Sequence, residues 1–259
     1  ATAGRTTLAG EGLQHQDGHS HVFSLSVPNC ISYDPAFAYE LAVIIQDGIR
    51  RMYKNQESIF YYLTVMNEQY EMPPMPEGAR EGILKGLYRF NTAANAKAKI
   101  KAQLLGSGAI LNETIAAQKL LEKYGVAADV WSVTSYQELY RDAHACERWN
   151  MLHPSQTPRV PYVTQCLKDT QGVIVAASDY LKVLPGSLDR WMPRRVRQLG
   201  TDGFGRSEDR TDLRNHFEID ARFIALATLA ELADQGQLDR GAVAQAILDF
   251  GIDAEKPNP

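Results

Sequence analysis

Apolar residues recur every three or four positions through AYELAVIIQDGIRRMY (38–53), where Leu41, Ile44, Ile45 and Ile49 share one stripe and Met52 and Tyr53 follow. That period predicts an amphipathic helix. SIFYYLTVM (58–66) is instead crowded with β-branched and aromatic side chains and suits a buried strand. VPNCISYDP (27–35) reads as a short strand closed by an Asp-Pro turn. Later in the chain the two patterns alternate. KAQLLGSGAI (101–110) is a strand with a glycine turn, and ETIAAQKLLEKYG (113–125) is a helix closed by Gly125. ADVWSVTS (128–135) is a strand, SYQELYRDAHACERW (135–149) a helix, and GVIVAAS (172–178) a strand with a continuous apolar run. RVRQLGTDG (195–203) supplies a fourth strand, and IDARFIALATLAELADQG and DRGAVAQAILDFG two closing helices. Strands alternating with helices predict βαβ units, hence an α/β fold whose mostly parallel sheet is covered on both faces.

One stretch interrupts the pattern. MPPMPEGAREG (72–82) places three prolines among five residues, which neither a helix interior nor a central strand tolerates. NTAANAKAKI (91–100) is polar and low in bulk. Together they predict a boundary, with a first unit over 1–75, a linker over 76–98 and a second unit over 99–259.

Composition narrows the function classes. The 259 residues are 44% hydrophobic and 22% charged, an ordinary globular balance. A net charge of -4 lacks the basic face that phosphate binding requires, so nucleic acid is not the expected partner. RWMPRRVR (190–197) runs against that average and reads as a solvated or partner-facing patch. Cys30, Cys146 and Cys166 are odd in number and contain no CxxC, which argues for reduced thiols in a cytoplasmic compartment. No run approaches the roughly 20 apolar residues of a membrane span, and no membrane partner is expected. No basic-then-apolar leader opens the chain. Its start, without Met and without a helix or strand signal before Gly10, reads as the middle of a longer polypeptide.

The candidate chemistry is concentrated in GEGLQHQDGHSH (10–21). Three of the six histidines, His15, His19 and His21, fall within seven residues, beside Asp17 and Glu11. Glycines at 10, 12 and 18 allow a tight loop that exposes the rings. Imidazoles titrate near neutrality, which suits proton transfer or stabilisation of a carboxylate or oxyanion. The His-x-x-x-His-x-His spacing could also supply metal nitrogens, and a loop of solvated histidines explains the cluster as well. Residue pattern alone leaves these three open. LLGSGAI (104–110) has a dinucleotide-like turn, but Leu111 stands where a third glycine belongs, so tight strand-to-helix turning explains it better. GTDGFGRSEDR (200–210) reads as a turn needing positive φ at Gly203 and Gly205, or as a subunit-contact loop. CERWNMLHP (146–154) pairs a Cys with a His, and a packed helix end stopped by Pro154 is the better reading. Tyr61 and Tyr62 read as core residues with hydroxyls reaching an edge.

A family resemblance weighs on these alternatives. GEGLQHQDGHSH, SVPNCISYDPAFAYELAVIIQDGIRRMY, NEQYEMPPMPEGAREGILKGLY, CERWNMLHP, TPRVPY, LGTDGFGRSEDRTDLRNHFEIDA and FGIDAEKPNP together resemble the C-terminal portion of the homodimeric-type bacterial pyruvate dehydrogenases. The resemblance covers essentially the whole chain and implies the end of a thiamine-diphosphate pyrimidine-binding domain followed by a transketolase C-terminal-like α/β domain. It implies an oxidoreductase that decarboxylates pyruvate on thiamine diphosphate with Mg2+. The two-carbon unit then passes to the lipoyl group of an acetyltransferase partner, towards acetyl-CoA. It also implies a homodimer. Residue by residue, His15 matches the family histidine facing the cofactor and the substrate adduct, and His21 matches the active-site histidine of the transketolase-like loop. His19 and Asp17 would support the loop. A Gly-Asp-Gly cofactor anchor is absent from the sequence, as GTDGFG has the wrong order. The cofactor-binding residues and the activating glutamate are therefore expected upstream of Ala1, and no metal ligand is assigned here. The chain alone should bind cofactor poorly and be inactive. The alternative is a dimerisation or assembly module without catalytic residues.

Overall fold

A computed structural model describes residues 4–8, 10–95 and 97–259. In chain order the elements are α1 (Ser20–Ser24), β1 (Cys30–Tyr33), α2 (Ala38–Ile49), β2 (Phe60–Leu63), α3 (Ala79–Lys85), β3 (Leu87–Asn91), β4 (Ile100–Gly106) and α4 (Ile110–Glu122). Then come β5 (Val126–Val133), α5 (Tyr136–Leu152), α6 (Tyr162–Leu167), β6 (Val173–Ala177), α7 (Val183–Gly186), β7 (Val196–Leu199), α8 (Arg210–His216), α9 (Ala221–Asp234) and α10 (Arg240–Asp249).

β1 and β2 form a two-stranded parallel sheet in register Cys30 with Phe60. Helices α2 and α3 close over it, with Ile31, Tyr33, Val43, Ile44 and Ile83 in one buried cluster. The second sheet has strand order β3-β5-β4-β6-β7, parallel except for the antiparallel edge strand β3. Its strands bury both faces, as their unbroken apolar runs require. Leu105, Ile174 and Ala176 pack beneath α5 and α6, while Leu104, Val173, Val175 and Ala177 pack beneath α4 and α9. Neighbouring residues thus serve opposite faces, the period of two that a strand imposes.

The expected elements are found, with two corrections. β2 is a strand but not a buried one, since Phe60 is exposed and Tyr61, Tyr62 and Leu63 are half-buried. The segment 76–98 is not a plain linker. Gly78 and Gly86, both at positive φ (74° and 98°), bracket the seven-residue helix α3. The next five residues are β3, hydrogen-bonded to β5. The prolines do stop regular structure before residue 77, but a helix this short shows too little periodicity to be read.

Two sequence details place the functional region. From β4 the chain moves through α4 to β5 on one side, whereas β6 leads to β7 on the other. The strand order therefore reverses between β4 and β6. Outside the carboxyl ends of such neighbouring strands lies the crevice where α/β sheets hold ligands. Here that crevice faces the small sheet. Gly108, at φ 50°, donates its N–H to the Asp34 carbonyl at 3.1 Å, and the Asp34 N–H reaches the Thr134 carbonyl at 2.8 Å. Side chains reinforce the seam: the Ser135 hydroxyl donates to the Ser32 carbonyl at 2.6 Å, and the Ser32 N–H donates to Gln137 Oε1 at 2.7 Å.

Candidate active site

The histidine segment begins as an irregular strand and turns twice. Gly4 forms an isolated antiparallel bridge with Asp17, which folds the intervening residues into a loop. At its tip a single 3-10 turn spans Leu13–His15. Asp17 Oδ1 accepts from the N–H groups of His19 (2.9 Å) and Ser20 (3.0 Å), so its short side chain starts α1. Asp17 thus ties the turn that leads into α1. His19 lies on the exposed side and stacks on Phe23 at 5.9 Å.

The other two histidines diverge. The His15 side chain is 56% exposed, and its nearest charged neighbour is Glu11 at 3.9 Å. His21 is 4% exposed, which corrects the expectation that the glycines present every ring to solvent. Its ring lies edge-on to Tyr180 at 4.6 Å and to Tyr62 at 5.6 Å. Burial pulls its pKa down to about 4, with the Asp17 charge opposing, so the ring is neutral near pH 7. Its Nε2 lies 3.0 Å from Thr64 Oγ1, and Thr64 Oγ1 donates to Asp34 Oδ1 at 2.6 Å. Thr64 Oγ1 thus bridges the ring and the carboxyl group, so His21, Thr64 and Asp34 form one buried hydrogen-bonded chain. Asp34 is itself wholly buried. Desolvation pushes its pKa up to about 7 despite the Thr64 hydrogen bond, and the charge of nearby Asp179 adds to the rise.

Two acids escaped the sequence reading. Asp34 looked like half of a turn, yet its carboxylate sits on the glycine turn after β4: a Cβ added to Gly108 would lie 2.6 Å from its Oδ2. Glu40, in α2, is buried and accepts from the Phe37 N–H at 3.0 Å, the Ser132 hydroxyl at 2.6 Å and the Tyr88 hydroxyl at 2.6 Å. Burial raises its pKa against the pull of those donors. The available signal was an acid inside an apolar helix stripe.

The remaining candidates take the plainer readings. Tight turning does account for LLGSGAI, since a Cβ at Gly106 would lie 2.9 Å from Leu111 Cα. In GTDGFGRSEDR only Gly203 has positive φ (84°), whereas Gly205 is needed because a Cβ there would meet Gln16 Cβ at 2.5 Å. That loop packs on the histidine segment, with the Gly10 N–H donating to the Glu208 carbonyl at 3.1 Å. Cys146 is buried within α5, and His153 caps that helix with Nδ1 2.8 Å from the Trp149 carbonyl. Tyr61 and Tyr62 are half-buried, with the Tyr61 hydroxyl donating to Asp47 at 3.2 Å. Three free cysteines are present, two of them buried. None of the described helices is long and apolar enough to cross a membrane.

A family model described as the pyruvate dehydrogenase E1 component middle domain matches residues 1–73, and one described as the transketolase-like C-terminal domain matches residues 86–220. The chain belongs to the transketolase-like family. Over its whole length it is similar to the pyruvate dehydrogenase E1 components of Escherichia coli strain K12 (56% identical over 261 residues) and Pseudomonas aeruginosa strain PAO1 (53% over 260). It spans 29% of the length of each. Among solved structures, the transketolase from Leishmania mexicana superposes on all of the chain with a TM-score of 0.63 at 15% identity, over 31% of its own length. A split-gene transketolase, an inactive beta4 tetramer, covers 90% of the chain with a TM-score of 0.54 at 16% identity, over 65% of its own length. These two likenesses establish the transketolase-like fold and nothing finer.

Proposed function

We propose that this chain forms part of a pyruvate dehydrogenase E1 component and supplies one wall of its active site, with His15 as the catalytic residue that meets substrate. The observation that carries the reading is the contrast within one short segment. His15 alone of the two site histidines stands open to a ligand, on a loop tied down at both ends. Identity above 50% over the full chain to proteins of that name supports the reaction class.

In this reading substrate enters against the His15 ring, whose Nε2–H donates to the pyruvate carboxylate or to the oxygen that gains charge in the reaction. His21 acts differently. Buried and neutral, it belongs to the same site as a fixed ring whose hydrogen bond to Thr64 sets the exit of β2 and the start of α1. His19 and Asp17 shape the turn between them. We take residues 1–75 as the end of the pyrimidine-binding domain and 99–259 as the C-terminal domain, with α3 and β3 joining them. The two separate sheets support a division into two units, with β3 paired to the second.

Thiamine diphosphate and Mg2+ belong to this reading, but the donor set of the chain does not suit their anchor. Among the described residues no three His, Cys, Asp or Glu side chains converge as metal ligands. The three histidines lie in different surroundings, His15 and His19 exposed and His21 buried, which favours this reading over metal-dependent hydrolysis. The cofactor chemistry is therefore assigned to other parts of a longer protein, with a second subunit and a lipoyl-bearing acetyltransferase as partners in a cytoplasmic complex.

The test is His15→Ala in the full-length enzyme. The expected result is a loss of pyruvate turnover with assembly intact. Unchanged turnover at normal assembly would leave the chain a dimerisation and assembly module. In addition, the 259-residue chain alone should show no pyruvate decarboxylation when given thiamine diphosphate and Mg2+; measurable turnover would overturn the assignment of the anchor elsewhere.

A further inference from the structure

The transketolase-like C-terminal domain grips the histidine segment through three consecutive residues, Asp179 to Leu181, just past the carboxyl end of β6 at the point where the strand order reverses. Asp179 is the centre of that grip. It is 3% exposed, and its carboxylate accepts from the Thr6 N–H at 3.0 Å, the Thr6 hydroxyl at 2.7 Å and the Thr7 hydroxyl at 2.7 Å. Two residues on, the Leu181 N–H donates to the Gly18 carbonyl at 3.1 Å, and between them the Tyr180 ring closes on His21. The two ends of the His15 loop are therefore fastened to one short stretch of the other domain. Arg5 adds a clasp from the opposite direction, its guanidinium donating to the carbonyls of Thr201 and Gly203.

We propose that Asp179 is a positioning residue for His15: by holding Thr6 and Thr7 from the carboxyl end of β6, it fixes where the loop tip presents the imidazole. This rests on His15 being the substrate-facing group. A buried carboxylate with three short donors fixes geometry well, because each donor would be orphaned if the loop moved. The sheet crevice that other α/β folds give to a ligand is used here to seat a segment of the same chain. No charge reaches substrate from Asp179; its effect passes through the loop.

The test is a double-mutant cycle in the full-length enzyme. Asp179→Asn keeps the volume but puts an amide donor where donors already converge. Turnover of pyruvate should fall roughly 10- to 100-fold, the cost of a misplaced catalytic group, with a smaller change in KM. The same substitution in a His15→Ala background should produce almost no further loss, since the loop then has nothing to position. Thr7→Val, a milder change that spares the Asp179 side chain, should give a smaller loss with the same disappearance in the His15→Ala background, and it serves if Asp179→Asn does not fold. Full turnover in Asp179→Asn, alongside a damaged His15→Ala enzyme, overturns the positioning role and leaves the site intact. An equal loss with and without His15 overturns it too, since it identifies a general structural effect. If His15→Ala is itself fully active, the functional reading falls and the positioning role falls with it.

Discussion

His15 and His21 are six residues apart and live in different media. One ring stands in solvent on a 3-10 turn with an acid as its neighbour; the other is enclosed by two tyrosines and a threonine hydroxyl. Water surrounds the His15 ring, which leaves it open to a ligand. Burial closes His21 to any ligand and holds its ring neutral. The comparison teaches that a histidine cluster in sequence is not a cluster of function. What the backbone allows, the surrounding elements from distant parts of the chain divide into roles.

The comparison breaks most visibly if the buried ring is removed. His21→Ala leaves a cavity between Tyr62 and Tyr180 and takes one hydrogen-bond partner from Thr64, and should cost about 3 kcal/mol of stability, as large buried rings do on truncation. Denaturant unfolding checks this, and a loss below the error of the method would show the pocket to be unimportant. His15→Ala should behave the opposite way, with turnover in the full-length enzyme down roughly 100-fold, as for a lost acid–base group, and an unchanged Tm.

The pH dependence sharpens the contrast. His21 is harder to protonate folded (about 4) than unfolded, where the ordinary value is 6.5. The unfolded chain binds the extra proton in that window, so this group makes stability rise from pH 4 to 6.5. Asp34 is easier to protonate folded (about 7) than unfolded (3.8), so it makes stability fall from pH 3.8 to 7. In the intact chain the two slopes oppose each other across pH 4 to 6.5. His21→Phe should leave the Asp34 slope exposed, so that denaturation midpoints decrease as pH rises through the window. Midpoints that still rise would show that Asp34 is ionised throughout. The smallest effect is reserved for the ring between the two: His19→Ala, at an exposed stacking position, should alter stability by no more than about 0.5 kcal/mol, measured by the same unfolding curves.

The fold was largely legible because its strands and long helices carry strong periods. β4, β5 and β6 are apolar on both faces, and α2 and α5 carry clear stripes. What escaped was short or locally disguised. α3 is hidden behind three prolines and between two glycines, and β3 follows it without a pause. Within the candidate site, the concentration of histidines was visible in the sequence. The burial of His21 was not, because Thr64 and Tyr180 that enclose it come from other elements. Asp34 and Asp179 were missed for the same reason. An Asp directly after an apolar parallel strand, as in VIVAASDY, points into the crevice at the sheet's carboxyl end, and that signal could have marked Asp179.

The bonds from Arg5 and Thr6 to their partners span 196 and 173 residues. As the chain leaves the ribosome, the segment Arg5–Thr7 therefore has nothing to hold it until β6 and the loop after β7 have been made. The histidine loop thus assembles late relative to its own synthesis, after both of its holders. Closing so long a stretch carries a high loop entropy, and a chain stopped before Asp179 would keep its first sheet while leaving the histidine loop open to proteases.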